Sequence, residues 1–415
     1  MNGTILVVGG GFSGITAALE AAEVGYDVVL VERNPYLGGR VAQLNKYFPK
    51  LCPPTCGLEI NFKRIRNNPK VKFYTMAEVE KVSGTPGNYD VTVKLNPRYV
   101  NSNCVACNDC VEACPVTRDS EFNFGMNKTK AIYRPHDMSF PMQYAIDGNV
   151  CRKSQCGECE KACKYSAIDL SMAPETINLS VGAIVWATGW KPYDAAKMDN
   201  LGFGKCKNVI TNMMMERLAS DSGPTKGKIL RPSDGKAPQK IAFVQCAGSR
   251  DENHLPYCSY ICCLATLKQA TYVSEQYPDA KMVIFYIDIR TPGRYENFYR
   301  KVAANKNISF IKGKVAQVEE DPATNDVIVT AEDTATGARV HEKVDMVVLA
   351  TGMQPTMAVV KPPIDLPRNE SGFVLADPEQ GVLAAGCAKE PLDVVSCAES
   401  ATGTALKAIQ ILVRR

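Results

Sequence analysis

Between residues 104 and 163 the chain carries eight cysteines, a density of thiols that no ordinary hydrophobic core requires. The first four read Cys104-x2-Cys107-x2-Cys110-x3-Cys114-Pro115. Two-residue gaps turn the backbone tightly around a cuboid of soft metal, and the trailing proline breaks the following helix. This is the bacterial ferredoxin run, in which three thiolates hold one [4Fe–4S] cluster and the fourth ligates its neighbour. A structural zinc site wants pairs of cysteines rather than three evenly spaced ones. The second four read Cys151-x4-Cys156-x2-Cys159-x3-Cys163, with a longer first gap and Lys164 in place of the proline. A longer gap can loop out without moving the other three ligands; a degraded three-ligand site is the alternative. In the usual crossed arrangement Cys104, Cys107, Cys110 and Cys163 hold one cluster, and Cys114, Cys151, Cys156 and Cys159 hold the other.

The chain has 17 cysteines in 415 residues, an odd number that excludes complete intramolecular pairing. Thiols grouped in a large, core-rich chain are more often ligands than disulfides. Apolar residues make up 45% and charged residues 22%, ordinary globular values that argue against disorder and for two or three domains. A net charge of +4 gives no support for nucleic-acid binding or a polybasic membrane surface. No apolar run approaches the ~18 residues of a membrane span. The start, Met1-Asn2-Gly3-Thr4, runs into a strand and lacks a signal-peptide pattern, so a cytoplasmic location is expected.

Residues Thr4 to Val8 read as an apolar strand leading into Gly9-Gly10-Gly11-Phe12-Ser13-Gly14 and an alanine-rich helix. Gly9, Gly11 and Gly14 fit G-x-G-x-x-G, and a second strand, Asp27 to Val31, ends at Glu32. Strand, glycine turn, helix and a following acid together form a dinucleotide site: pyrophosphate on the helix N-terminus, ribose hydroxyls on the acid. Arg33 and Leu37-Gly38-Gly39-Arg40 follow, and this glycine doublet resembles the one near the FAD pyrophosphate in two-dinucleotide flavoproteins. Two apolar strands end in Ala-Thr-Gly, at Ala187-Thr188-Gly189 and at Ala350-Thr351-Gly352; in those flavoproteins such strands flank an inserted domain. Gly381 to Cys387 resembles their last FAD strand, with Cys387 after Gly386 where an aspartate usually stands. FAD is therefore the expected dinucleotide.

A second nucleotide domain should begin at the strand Lys240 to Gln245. Where its glycine fingerprint should follow, the chain reads Cys246-Ala247-Gly248-Ser249-Arg250, so no NAD(P)H site is expected. Cys258, Cys262 and Cys263 come next. Adjacent residues on a helix point about 100° apart, so packing both Cys262 and Cys263 as plain core is demanding. Cys246, Cys258, Cys262 and Cys263 are read as holding a third [4Fe–4S] cluster.

At this point the chain resembles the flavin-bearing A-type subunits of heterodisulfide reductases. The resemblance rests on the ferredoxin insert within the FAD domain, Ala131 to Tyr133, Gln245 to Arg250, Tyr257-Cys258, Cys262-Cys263 and Asp288-Ile289-Arg290. With its start at the FAD strand and no cluster motif after Cys397, the chain is similar to the A-type subunits of quinone-interacting membrane-bound oxidoreductases of sulfate reducers. That resemblance implies a haem-bearing membrane subunit and a second flavin/iron–sulfur subunit as partners, attachment of this chain through them to the inner face of the membrane, and a link between menaquinol and adenylylsulfate (APS) reductase. It also supports the third cluster and maps a lysine near the flavin N5 onto Lys268, whose alternative is an ordinary helix-surface lysine.

The fold expected is α/β: a two-dinucleotide-binding-domain flavoprotein, like thioredoxin and glutathione reductases, with an inserted ferredoxin-like module. The FAD domain takes 1–98, 174–238 and 341–415, the module 99–173, and a degenerate second nucleotide domain 239–340. Asp221 to Gln239 reads as an exposed linker. Cys52-Pro53-Pro54-Thr55-Cys56 reads as a structural turn rather than a redox pair, and Cys206 and Cys397 as packing residues. His136, His254 and His341 do not cluster. The rival enzyme readings are the flavin subunit of a soluble electron-bifurcating complex and a stand-alone NAD(P)H-dependent iron–sulfur flavin reductase. The non-enzyme rival is a structural protein with a vestigial flavin, against which the intact glycine loop speaks.

Overall fold

The computed structural model describes residues 3–48 and 50–413. Met1, Asn2, Pro49, Arg414 and Arg415, which the expected FAD-domain ranges include, lie outside the described residues. The chain forms two compact units, the first made of 1–190, 355–390 and 394–415, the second of 191–354 and 391–393.

The first unit is built on a five-stranded parallel sheet. Its strands run in the order Leu383–Ala384, Ala183–Trp186, Thr4–Val8, Asp27–Glu32, Val71–Thr75. The central strands are apolar through their middles because both faces are covered, whereas Asp27 at the start of its strand and Lys72 on the edge strand are exposed. Ile5 and Val7 face a core shared with the alanine-rich helices Phe12–Glu23 and Val394–Val413. Leu6, Val29, Ile184 and Trp186 face the other way, onto the antiparallel strands Ala77–Thr85, Asn88–Leu95 and Glu175–Val181. In that antiparallel sheet Leu95 pairs with Glu175. The chain between them leaves and returns at neighbouring positions, so a whole module fits there without disturbing the sheet. The module has its own small core around Val100, Ile132, Ile146 and Ile168 and two short helices, Asp109–Ala113 and Glu158–Ala162, which pack on each other.

The second unit has a parallel sheet ordered Val209–Thr211, Met346–Thr351, Lys240–Ala247, Lys281–Tyr286, Ile308–Lys312, and an antiparallel sheet of Val315–Glu320, Val327–Asp333 and Ala338–Val344. Here the division differs from the sequence reading. The strand Val209–Thr211 pairs with Val347 to Leu349, which in turn pair with the strand at Lys240. Segments assigned by sequence to the FAD domain, 191–238 and 341–354, thereby join the second unit. The two Ala-Thr-Gly strands sit in different sheets. The linker at 221–239 is mostly exposed yet pinned, because Ile229 is buried and Arg231 pairs with Asp234, Asp326 and Asp345.

Candidate functional site

The glycine turn at Gly9 to Gly14 sits at the carboxyl end of the first strand, where open α/β sheets bind ligands. A side chain on Gly14 would collide with the Gly9 carbonyl oxygen, so the helix can approach the turn only with glycine there. Gly11 is different: a Cβ built on it meets nothing nearer than the Gly39 Cα at 3.8 Å. That space is the cradle. The helix Phe12–Glu23 begins at Gly11 with no side-chain cap and no acid in its first turn, leaving N–H groups for an anion. The Gly38-Gly39 doublet closes onto it, with Gly38 N–H donating to the Gly10 carbonyl at 2.8 Å.

Glu32 is 6% exposed, and burial pushes its carboxyl above the usual range. Its Oε2 accepts from Gly10 N–H at 2.6 Å and its Oε1 from the Asn34 backbone and side-chain N–H groups, both at 2.7 Å. A carboxylate accepts about four hydrogen bonds, so one position stays open for a ribose hydroxyl. Arg33 is exposed. Arg40 turns inward instead: its Nη1 donates to Gln43 at 2.8 Å and its Nε to the Trp190 carbonyl at 3.3 Å. Gln43 in turn donates to the Phe122 carbonyl, tying this corner to the cysteine module.

Across the turn, Ala187 N–H donates to Val8 O, and the Thr188 Oγ1 is buried with no hydrogen-bond partner. Gly189 has open space around its Cβ position. Gly386 lies against Ser13. The structure thus gathers Gly9, Gly11, Phe12, Ser13, Gly14, Glu32, Gly39, Arg40, Ala187, Thr188 and Gly386 around one turn. The open cradle, the uncapped helix and the orphaned Thr188 hydroxyl fit a pyrophosphate-bearing dinucleotide.

In the cysteine module the first two gaps of each run bend through the left-handed region, at Ala106 (φ 58°) and Asn108 (φ 80°) in the first run and at Lys153 (φ 50°) and Gly157 (φ 65°) in the second, and the third gap is helical. The bends turn successive thiols to one side. Burial pushes the Cys110 thiol up to about 12, helped by Cys104, Cys107 and Cys159. Burial likewise raises Cys159 to about 11, with Cys151 and Cys114 adding to it. Cys159 of the second run thus neighbours both Cys110 and Cys114 of the first. The Ala167 N–H donates to the Cys163 sulfur at 3.4 Å and the Lys153 N–H to Cys151 at 3.3 Å, the sulfur-directed hydrogen bonds that tune such clusters.

The third group lies in the second unit. The strand Lys240–Ala247 slips register between Val244 and Ala247, and Cys246 adopts φ 55°. The bulge re-aims a side chain that would otherwise follow the strand. Cys262 and Cys263 open the helix Cys262–Gln276, both 5% exposed. Burial raises Cys246 to about 11, with Cys263 and Cys258 adding their charge; Cys262 is pushed up by burial and by Cys246, Cys263 and Cys258. The four thiols are therefore mutual neighbours. Among the described residues no three His, Cys, Asp or Glu side chains converge as ligands of a single ion do. Single-zinc thiolates sit about 3.8 Å apart, from a tetrahedron with Zn–S near 2.3 Å.

Lys268 is no surface lysine. It is 4% exposed and paired with Glu216 at 3.1 Å inside the second unit. The Pro53-Pro54 turn starts the helix Pro54–Asn67. Cys397, read as packing, touches Cys387: their Sγ atoms are 3.6 Å apart. A nine-residue gap matches no motif, so no sequence signal pointed to that pair.

Residues 4–49 match a family profile described as FAD dependent oxidoreductase. The chain is 40% identical over 421 residues to the second A-type iron-sulfur subunit of the CoB--CoM heterodisulfide reductase of Methanopyrus kandleri, covering 98% of this chain and 64% of that protein. It is 39% identical over 417 residues to the corresponding A-type iron-sulfur subunit of Methanocaldococcus jannaschii, covering 96% and 63%. The chain thus spans less than two thirds of the length of these relatives. Thioredoxin reductase of Lactococcus lactis shares the fold at 12% identity, with a TM-score of 0.55 and 99% of both chains covered. The fold is that of Rossmann-type FAD-dependent oxidoreductases, and the homologues are oxidoreductase subunits.

Proposed function

We propose that this chain is the FAD- and iron–sulfur-bearing electron-transfer subunit of a heterodisulfide-reductase-type oxidoreductase complex. One observation carries the reading: a dinucleotide cradle and three groups of neighbouring cysteines coexist in one chain whose relatives are named as A-type subunits of heterodisulfide reductase. When bound, FAD exchanges electron pairs as well as single electrons, and [4Fe–4S] clusters carry single electrons. The chain's residues supply the rest. Gly11 and the uncapped helix receive the pyrophosphate, Glu32 holds the turn and a ribose hydroxyl, and Thr188 offers its hydroxyl. Cys104 to Cys163 hold two clusters, and Cys246, Cys258, Cys262 and Cys263 a third. Cys110, Cys114, Cys159, Cys246, Cys262 and Cys263 are buried, which keeps those six thiolates from water.

The reading extends to partners. A haem-bearing membrane subunit, together with a second flavin/iron–sulfur subunit, would connect the chain to menaquinol and APS reductase at the inner membrane face. This part is supported by the resemblance of the motifs alone; a soluble heterodisulfide-reductase complex fits the relatives' names at least as well. Among the described residues no helix is long and apolar enough to cross a membrane. The test is anaerobic purification of the native complex, with flavin, iron and sulfide analysis and identification of the copurifying proteins. About one FAD and about twelve irons per chain are expected, at four per cluster. Absence of flavin or of iron overturns the core reading. A haem-bearing membrane subunit selects the quinone-linked branch, and its absence beside heterodisulfide reductase subunits selects the other.

A further inference from the structure

The last strand of the first unit and its C-terminal helix bring together two thiols outside the three cysteine groups. Cys387 lies in the turn Gly386–Ala388, and Cys397 is in the first turn of the helix Val394–Val413. The two sulfurs are 3.6 Å apart, and the residues are 6% and 8% exposed. No disulfide joins them. The backbone around them is already fixed: Gly386 N–H donates to the Ser400 hydroxyl at 3.1 Å, and Lys389 N–H to the Gly386 carbonyl at 2.9 Å. A disulfide is about 2.05 Å long, so closure requires the sulfurs to move together by about 1.5 Å. Side-chain rotation on a prearranged backbone supplies movement of that size.

We propose that Cys387 and Cys397 form a reversible dithiol–disulfide couple that exchanges with low-molecular-weight disulfides. The thiolate of one cysteine attacks a sulfur of the reagent. A mixed disulfide forms, the reagent's S–S bond breaks, and one thiol leaves with a proton. The second cysteine, as its thiolate, attacks the mixed disulfide at the protein sulfur. The Cys387–Cys397 bond forms and the second reagent thiol leaves. Two protein thiols are oxidised by two electrons, and one disulfide is reduced to two thiols.

The bond would tie the Gly386 turn to the C-terminal helix beside Ser13 of the glycine turn, since a side chain at Gly386 would collide with Ser13 and lie 3.4 Å from the Cys397 sulfur. Oxidation would thus stiffen one wall of the dinucleotide cradle. The exchange chemistry itself does not rest on FAD occupying that cradle.

Trypsin cleavage after Arg368, Lys389 and Lys407 places Cys387 and Cys397 on separate peptides, 369–389 and 390–407. The full-length, cofactor-loaded protein is incubated anaerobically with oxidised glutathione, alkylated with N-ethylmaleimide in denaturant, digested and analysed by mass spectrometry. The expected result is a linked pair of these peptides that grows with oxidant, is lost on treatment with dithiothreitol and is absent from Cys397→Ser. Recovery of both peptides in alkylated form, with linkage only when the protein is denatured before oxidation, overturns the proposal. So does a bond from Cys387 to any other cysteine in the native protein.

Discussion

Lys268 Nζ lies 3.1 Å from Glu216 Oε1, and the two side chains are only 4% and 2% exposed. The carboxylate is further held by Gln269 Nε2 at 2.7 Å and the Tyr272 hydroxyl at 3.2 Å. Removing one member of such a pair strands the other charge in a low-dielectric interior. Glu216→Ala should cost about 3–5 kcal/mol, and the double variant Glu216→Leu/Lys268→Met clearly less than the single ones added together. Urea unfolding of the loaded protein measures both. A cost below about 1 kcal/mol for Glu216→Ala would show that the pair does not hold this core together.

The glycine turn makes a sharper prediction, because its glycines serve different ends. Gly11→Val places methyl groups in the open cradle, so the protein should fold, with an unchanged circular dichroism spectrum, and lose most of its flavin. Gly14→Val meets the Gly9 carbonyl oxygen and should lower the melting temperature as well as flavin content. Full flavin in folded Gly11→Val would falsify the placement of the pyrophosphate.

The cradle was legible in the sequence because each requirement is local: strand, turn, helix and acid lie within 29 residues, from Thr4 to Glu32. The cysteine module was legible for the same reason, its spacing being set by backbone reach. Long-range pairing was not. That Val209–Thr211 joins the sheet of Met346–Thr351 depends on partners more than 130 residues apart, and nothing in a three-residue Val-Ile-Thr strand names its partner. Lys268 shows the same limit. A lysine five residues after Cys263 carries no mark of burial; only the tertiary position of Glu216 reveals it.

The strand Lys240–Ala247 runs past the point where a nicotinamide-binding glycine turn would begin, and Gly248 is closed in by Tyr193. A side chain on Gly248 would come within 2.7 Å of the Tyr193 ring. The helix that follows starts only at Cys262. Neither NADH nor NADPH should therefore bleach the flavin at stoichiometric amounts in an anaerobic titration. Rapid bleaching by either would restore the stand-alone reductase reading.

Cys262 and Cys263 test the third cluster directly. Both are buried beside Cys246 and Cys258, yet far in sequence from the glycine turn. Replacing both by Ala should remove about four irons per chain and leave flavin bound. Unchanged iron content and an unchanged low-temperature paramagnetic resonance spectrum of the reduced protein would reduce these thiols to packing.

The surroundings of those thiols predict how the cluster would be tuned. Asp288 holds two guanidinium groups, Arg250 at 2.7 Å and Arg290 at 3.2 Å. Burial raises the Cys263 thiol while the Arg290 N–H favours its thiolate, and the Arg290 charge faces both Cys258 and Cys263. Positive charge beside a cluster stabilises the added electron and raises the potential. Arg290→Gln keeps the backbone N–H and removes the charge. It should lower the midpoint potential of this cluster by about 40 mV, which corresponds to about 1 kcal/mol of lost interaction for one electron. Arg290→Lys should restore most of the loss, and Asp288→Asn should shift the potential the opposite way. Potentiometric titration followed by paramagnetic resonance reads all three. A potential that does not move in Arg290→Gln would show that solvent screens the half-exposed guanidinium and that the thiolates answer to backbone N–H groups alone.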